Sequence, residues 1–211
     1  MKRNKVPPGP KRAHSVSDDL LYLVRSKGIL RPRDLRERGI PREYLVRLTK
    51  SGDLIRVARG LYVLADADIS EHHTLAQVAK RVPSAVVCLL TALRFHGLTT
   101  QLPFEVWVAI HPKAWRPVVR DLPVRLVYLS GPALNEGNEA HTIEGVQVRI
   151  TVPAKTVADC FKFRNKIGLD VAIEALRDGW RHRRFAMDEL WKYAKVDRVS
   201  NVIRPYVEAL G

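Results

Sequence analysis

The stretch RPRDLRERGIPREYLVRLTKSGDLIRVARGLYVL, residues 31–64, constrains this chain more than any other. Pro32 suits the first turn of a helix, where a missing N–H costs nothing, and Gly39 can take the positive φ that ends one, so a helix is predicted over 32–38. Pro41 then opens a second helix after Ile40 alone, a connection short enough to force a sharp turn between two packed helices. Within it Tyr44, Leu45 and Leu48 recur at helical spacing and face inward, which leaves Arg42, Glu43, Val46, Arg47 and Lys50 outside. Ser51-Gly52 stops it. Two β-prone runs, 54–57 and 61–64, follow across Ala58-Arg59-Gly60, a loop with glycine where a hairpin needs it. Upstream, Leu20, Leu21, Tyr22 and Val24 mark the apolar stripe of an earlier helix, with a cap expected at Ser17 and Asp18 and Asp19 in the first turn. Three helices and a hairpin around one small core are the grammar of a winged helix-turn-helix.

Charge singles out the same segment. Residues 1–66 hold 16 Lys and Arg against 7 Asp and Glu, and residues 67–211 hold 20 against 15, so under a third of the chain carries 9 of its 14 excess positive charges. A cationic helix-turn-helix points to duplex DNA, and a face neutralising roughly five phosphates would show a log–log salt slope of about −4.5. In that docking mode the exposed N-terminal part of the second helix of the pair meets base edges in the major groove. Arg42, Glu43 and Arg47 are placed for this, with Val46 able to touch a thymine methyl. Arg31, Arg33, Lys50 and Arg56 are expected on phosphates, which position a protein without reading sequence. Arg59, at the hairpin tip, would enter the minor groove.

At 211 residues, 46% of them hydrophobic, the chain can hold a small domain and a larger one. The expected divisions are a basic, Pro-rich disordered arm over 1–16, a winged helix-turn-helix domain over 17–66 and a C-terminal domain over 70–211. In the last, 72–81 reads as helix, and the apolar run 85–90 leads into a helix that ends at His96 with Gly97 as its stop. Segments 104–110 and 124–129 read as strands, and 141–151 as a hairpin turning at Glu144-Gly145. Helices follow from Pro153 to the end. Strands first and helices afterwards argue for an α+β class over a doubly wound sheet. No run reaches the roughly 18 apolar residues of a membrane helix, and the start lacks the apolar stretch of a secretion signal, so a cytoplasmic protein is expected. Cys88 and Cys160 are expected as buried, reduced thiols.

Enzyme signatures are missing. There is no G-x-x-x-x-G-K-S/T, no G-x-G-x-x-G and no G-x-S-x-G, and no acidic residue stands two positions before a lysine, the spacing many metal-dependent nucleases use. None of the seven histidines shares a helix face with a second metal ligand at i, i+4. His72 and His73, being adjacent, point apart, and His96 is expected as a helix C-terminal histidine that favours the dipole. Asp159 is expected in a structural hydrogen bond or ion pair with Arg164 or Lys155. Trp180, Trp191, Tyr193 and Tyr206 are expected in the core. The basic cluster Arg181, His182, Arg183, Arg184 offers a candidate second DNA or partner surface, although a solvated loop is the simpler reading. No catalytic residue, metal or cofactor is expected.

Four segments in order carry a family resemblance: Gly52-Asp53-Leu54-Ile55-Arg56-Val57-Ala58-Arg59-Gly60-Leu61-Tyr62 after the helix pair; Thr91-Ala92-Leu93 with His96-Gly97-Leu98; Val106-Trp107-Val108-Ala109; and Val152-Pro153-Ala154-Lys155-Thr156-Val157-Ala158-Asp159. From Leu20 to the C-terminal helices the chain resembles the AbiEi-type transcriptional regulators, antitoxins of type IV toxin–antitoxin systems. The resemblance implies a non-enzymatic autorepressor that binds double-stranded DNA at inverted repeats in its own promoter, with Arg42, Arg47, Lys50, Arg56 and Arg59 on the operator. It implies a nucleotidyltransferase-type toxin as a functional partner that need not be touched directly. It also favours a monomer in solution that binds cooperatively on DNA. The competing expectation is a nuclease or nucleotidyltransferase-like enzyme with a winged-helix targeting domain.

Overall fold

The computed structural model describes residues 15–117, 119 and 121–210. The chain divides into two compact units between Ala67 and Asp68. The basic arm expected over 1–16 lies outside the described residues except for its last two. Ser15 and Val16 belong instead to the first helix.

The N-terminal unit runs α1 (Val16–Lys27), α2 (Pro32–Arg36), α3 (Glu43–Lys50), β1 (Leu54–Ala58) and β2 (Leu61–Leu64). The cap of α1 is Ser15, not Ser17. The Ser15 hydroxyl accepts the Asp18 N–H at 3.1 Å while the Asp18 carboxylate accepts the Ser15 N–H at 3.1 Å, a reciprocal box that only a cap three residues ahead of Asp18 can close. The inward stripe of α1 is accordingly Leu20, Leu23 and Val24, and Tyr22, expected inside, is 75% exposed. These three pack with Leu30, Leu35, Leu45, Leu48 and Leu54 into an all-aliphatic core. Helix α2 ends two residues earlier than expected, and the chain turns through 37–39 to Gly39 at φ 65°. β1 and β2 pair antiparallel with an irregularity between Arg56 and Ala58, and Gly60 takes the positive φ of the turn. Leu30, just ahead of α2, adds a bridge to the hairpin, exchanging backbone hydrogen bonds with Tyr62 at 2.9 and 3.0 Å.

The C-terminal unit runs α4 (His73–Arg81), β3 (Val86–Val87), α5 (Leu89–His96), β4 (Val106–Ile110), β5 (Val124–Tyr128), α6 (Pro132–Asn135), β6 (Asn138–Ile143), β7 (Val146–Thr151), α7 (Pro153–Lys162), α8 (Arg164–Ile167), α9 (Leu169–Arg181), α10 (Met187–Val196) and α11 (Ser200–Glu208). Its five-stranded sheet has the order β5-β4-β3-β7-β6, with β4/β5 and β3/β7 parallel and the other pairs antiparallel. The architecture is mixed α+β, as expected. The apolar run 85–90 is not one element, because it supplies the short central strand β3 and then the start of α5. The β6–β7 hairpin turns at Glu144 (φ 48°) and Gly145 (φ 73°), the two positive φ values a tight two-residue connection requires. Helices α5, α7, α9 and α10 supply most of the core, in which Cys88 and Cys160 are buried free thiols. Tyr193 is buried there, with Trp191 and Tyr206 packed against it, but Trp180, expected inside, is 43% exposed.

Candidate nucleic-acid interface

Helix α3 presents two faces. Leu45 and Leu48 are buried and Tyr44 half-buried, whereas Glu43, Val46, Arg47 and Lys50, at i, i+3, i+4 and i+7, are all exposed and form one outward stripe. Arg42 flanks this stripe at the N-terminal cap. Val46 is 57% exposed, an aliphatic side chain held in water at the middle of a cationic face. The Arg47 guanidinium lies 4.4 Å above the Tyr44 ring and donates to the Ser17 hydroxyl of α1, so its position is set by two neighbours. Ser17 was missed as a contributor. Moving the cap to Ser15 puts it in the first turn of α1, where a hydroxyl can reach out.

Arg33 on α2, Arg56 on β1 and Arg59 at the hairpin turn are also exposed. The Arg56 Nε–H donates to the Ala58 carbonyl at 3.4 Å, across the irregularity in β1. Arg31 differs from all of these. Its side chain is largely buried beside Asp34, 3.6 Å away, while the Asp34 carboxylate accepts the Arg31 N–H at 2.8 Å, and desolvation lowers the guanidinium pKa despite that neighbour. It braces the start of α2. Arg33, Arg42 and Lys50 form no ion pair with a described residue, leaving their charge available.

Residues 18–65 match the family described as transcriptional regulator, AbiEi antitoxin. The matched segment runs from the third residue of α1 through α2, α3 and the hairpin. No curated protein matches the chain. The crystal structure of the RV2827C protein from Mycobacterium tuberculosis is similar to it with a TM-score of 0.57, at 13% identity over 85% of this chain and 71% of that one. At that identity the likeness is one of fold alone.

Beyond the AbiEi match, the C-terminal unit puts several singled-out residues to structural use. Asp159 pairs with Lys155 as expected, and both are fully buried, but the second carboxylate on Lys155, Asp197 at 3.2 Å, comes from 42 residues away. His96 ends α5 but does not serve its dipole as a cation. It is buried, its Nε2–H donates to the Thr151 carbonyl at 2.7 Å, and desolvation lowers its pKa, so it stays neutral near pH 7. His73 bridges Glu144 at 2.5 Å and Gln77 at 2.7 Å, while the His72 ring lies 5.0 Å from that of Phe95. Arg181, His182, Arg183 and Arg184 are all exposed, with His182 Nδ1 donating to the Asp178 carbonyl at 2.9 Å. Among the described residues no cluster of three metal-ligating side chains occurs, and no helix is long and apolar enough to cross a membrane.

Proposed function

We propose that the N-terminal unit is a winged helix-turn-helix that inserts α3 into the major groove, and that the chain is the autorepressor and antitoxin of a type IV toxin–antitoxin operon. The outward stripe of α3 carries this reading, because it pairs cations that reach phosphates and guanine edges with an exposed aliphatic group suited to a thymine methyl. The order of elements supports it too. The bridge from Leu30 to Tyr62 ties the hairpin to the chain just ahead of α2, which supports reading β1 and β2 as a wing. Arg42, Glu43, Val46 and Arg47 then face bases, Arg33, Lys50 and Arg56 hold phosphates, and Arg59 reaches the minor groove. Arg31 contributes by fixing α2, where a backbone contact to phosphate is made. The AbiEi match supports the antitoxin role, and a nucleotidyltransferase-type toxin is its counterpart, opposed with or without direct contact.

Gel shifts on the DNA upstream of its own gene test this. Binding is expected to weaken steeply with salt and to vanish in Arg42→Ala/Arg47→Ala, and undiminished binding by that variant rejects α3 as the reading helix. A symmetric site filled cooperatively by a protein that sediments as a monomer is the expected stoichiometry. Growth rescue by co-expression with the neighbouring toxin tests the antitoxin role separately. Turnover of labelled DNA with Mg²⁺ would point to the enzymatic alternative instead.

A further inference from the structure

We propose a second, independent ligand site in the C-terminal unit: the groove between α10 and α11, which takes a nucleotide, its base against Trp191 and its phosphates among Lys192, Lys195 and Arg204. The groove is open to solvent, spans about 620 Å³ and is lined by Asp188, Trp191, Lys192, Lys195, Ser200 and Arg204. That is within the range of small-molecule sites.

The lining is a product of helical register. Asp188, Trp191, Lys192 and Lys195 fall at i, i+3, i+4 and i+7 of α10, and Ser200 and Arg204 at i, i+4 of α11, so one stripe from each helix faces the same space. Three exposed cations thus share the groove with one half-buried indole, the Lys192 ammonium lying 5.2 Å from the neighbouring Tyr193 ring. None of the three makes an ion pair with a described residue, and the one carboxylate in the lining, Asp188, leaves the groove with a net positive charge. An anion entering the groove would meet all three and offset their mutual repulsion. An aromatic ring beside them supplies what a nucleotide has and inorganic phosphate lacks, a π-face for the base. An acidic peptide would satisfy the cations but makes no use of the indole face, and its competition is one of the outcomes tested below.

The groove is also held open from behind. Asp197 caps the C-terminus of α10 and is buried, with its two oxygens on Lys155 (3.2 Å) and Lys162 (3.4 Å) of α7. The next residue, Arg198, takes φ 59°, and the Val199 N–H returns to the Ala194 carbonyl at 2.8 Å before α11 begins. The angle between the two helices is therefore fixed by buried charge on a third. Such a site needs little reorganisation on binding.

The site makes no use of the DNA-binding reading of α3, and the two fail separately. Calorimetric titration of the full chain with ATP or GTP, and anisotropy of a fluorescein-labelled single-stranded oligonucleotide, distinguish a free nucleotide from the end of a strand, and binding of either that is lost in the double variant below, with α3 intact, supports the site. Lys195→Ala/Arg204→Ala, both exposed positions, should weaken that binding by about tenfold or more, with the circular-dichroism melt and operator gel shift unchanged. The charge-matched control Lys113→Ala/Lys166→Ala should bind as the parent does. Four results would overturn the proposal: no binding of either probe, equal loss in the control, inorganic triphosphate binding as tightly as ATP, or an oligoglutamate peptide competing as well as the nucleotide.

Discussion

The two units handle charge in opposite ways. The N-terminal unit closes its core with leucine and valine and turns the cations of α3 outward, Arg31 beside Asp34 being the exception. The C-terminal unit has a far larger apolar core and still buries Lys155, Asp159, Asp197 and His96 within it. The difference shows that excess charge along a sequence locates an interface only where the core leaves the charges outside. Lys155 counts toward the basic balance exactly as much as Arg42 does in a residue tally, yet it lies fully buried between two carboxylates. In the small unit the cations of α3 stay in solvent; in the large one part of the charge fastens helices.

The sharpest way to break that contrast is to remove the fastening. Lys155→Met should destabilise the C-terminal unit by about 3–5 kcal/mol, because it strands buried carboxylates. Urea unfolding followed by tryptophan fluorescence measures it, and a loss no greater than that of an exposed lysine would erase the distinction between the units. On the other side, Arg42→Ala and Arg47→Ala should each cost about 1–3 kcal/mol of operator affinity with no loss of stability. Anisotropy titrations and melts of the same samples separate the two effects. The slope of log affinity against log salt should instead become shallower in Lys50→Ala and Arg56→Ala, by about 0.9 for each phosphate contact removed.

The two buried carboxylates sharpen the comparison further. Burial raises the Asp159 pKa well above the carboxylate range, Asp197 adding to the effect and Lys155 opposing it, whereas desolvation of Lys155 is outweighed by its two acidic neighbours and its pKa is raised. Asp197 meets two lysines, Lys155 and Lys162, whereas Asp159 meets Lys155 alone. Asp159→Asn should therefore be milder than Asp197→Asn in the same urea experiment, and the reverse order would make Asp159 the principal partner of Lys155. The smallest effect belongs to His96. Its folded pKa lies below the ordinary 6.5, so the folded state binds fewer protons than the unfolded chain and stability rises with pH across that interval. Acidification from above 6.5 should weaken the C-terminal unit by no more than about 1.4 kcal/mol per pH unit, and His96→Gln should flatten the dependence.

Legibility followed the range of the interactions. The outward set Arg42, Glu43, Val46, Arg47 and Lys50 could be read because helical period alone sorts faces, and the Glu144-Gly145 turn because only a few residues tolerate paired positive φ. The cap of α1 was misplaced by two residues because Ser15 and Ser17 both suit the position, and the choice fell to the reciprocal bonds with Asp18. Apolar area points Tyr22 and Trp180 inward, yet area alone does not say which side of a helix meets a neighbour, and both are exposed. The inward pairing of Arg31 was missed because a side chain of that length can turn either to solvent or to Asp34.

Local order, then, was written in the chain: the helix pair, the hairpin after it, the strand-to-helix progression and the concentration of positive charge near the start all follow from spacing and turn chemistry within a few residues. What waited for the tertiary structure were the contacts between residues far apart. Asp197 reaches Lys155 across 42 positions, His96 reaches Thr151 across 55, and Ser17 receives Arg47 across 30. Period and propensity act over one or two turns, whereas these pairings exist only once packing has brought their helices and strands together and excluded water from between them.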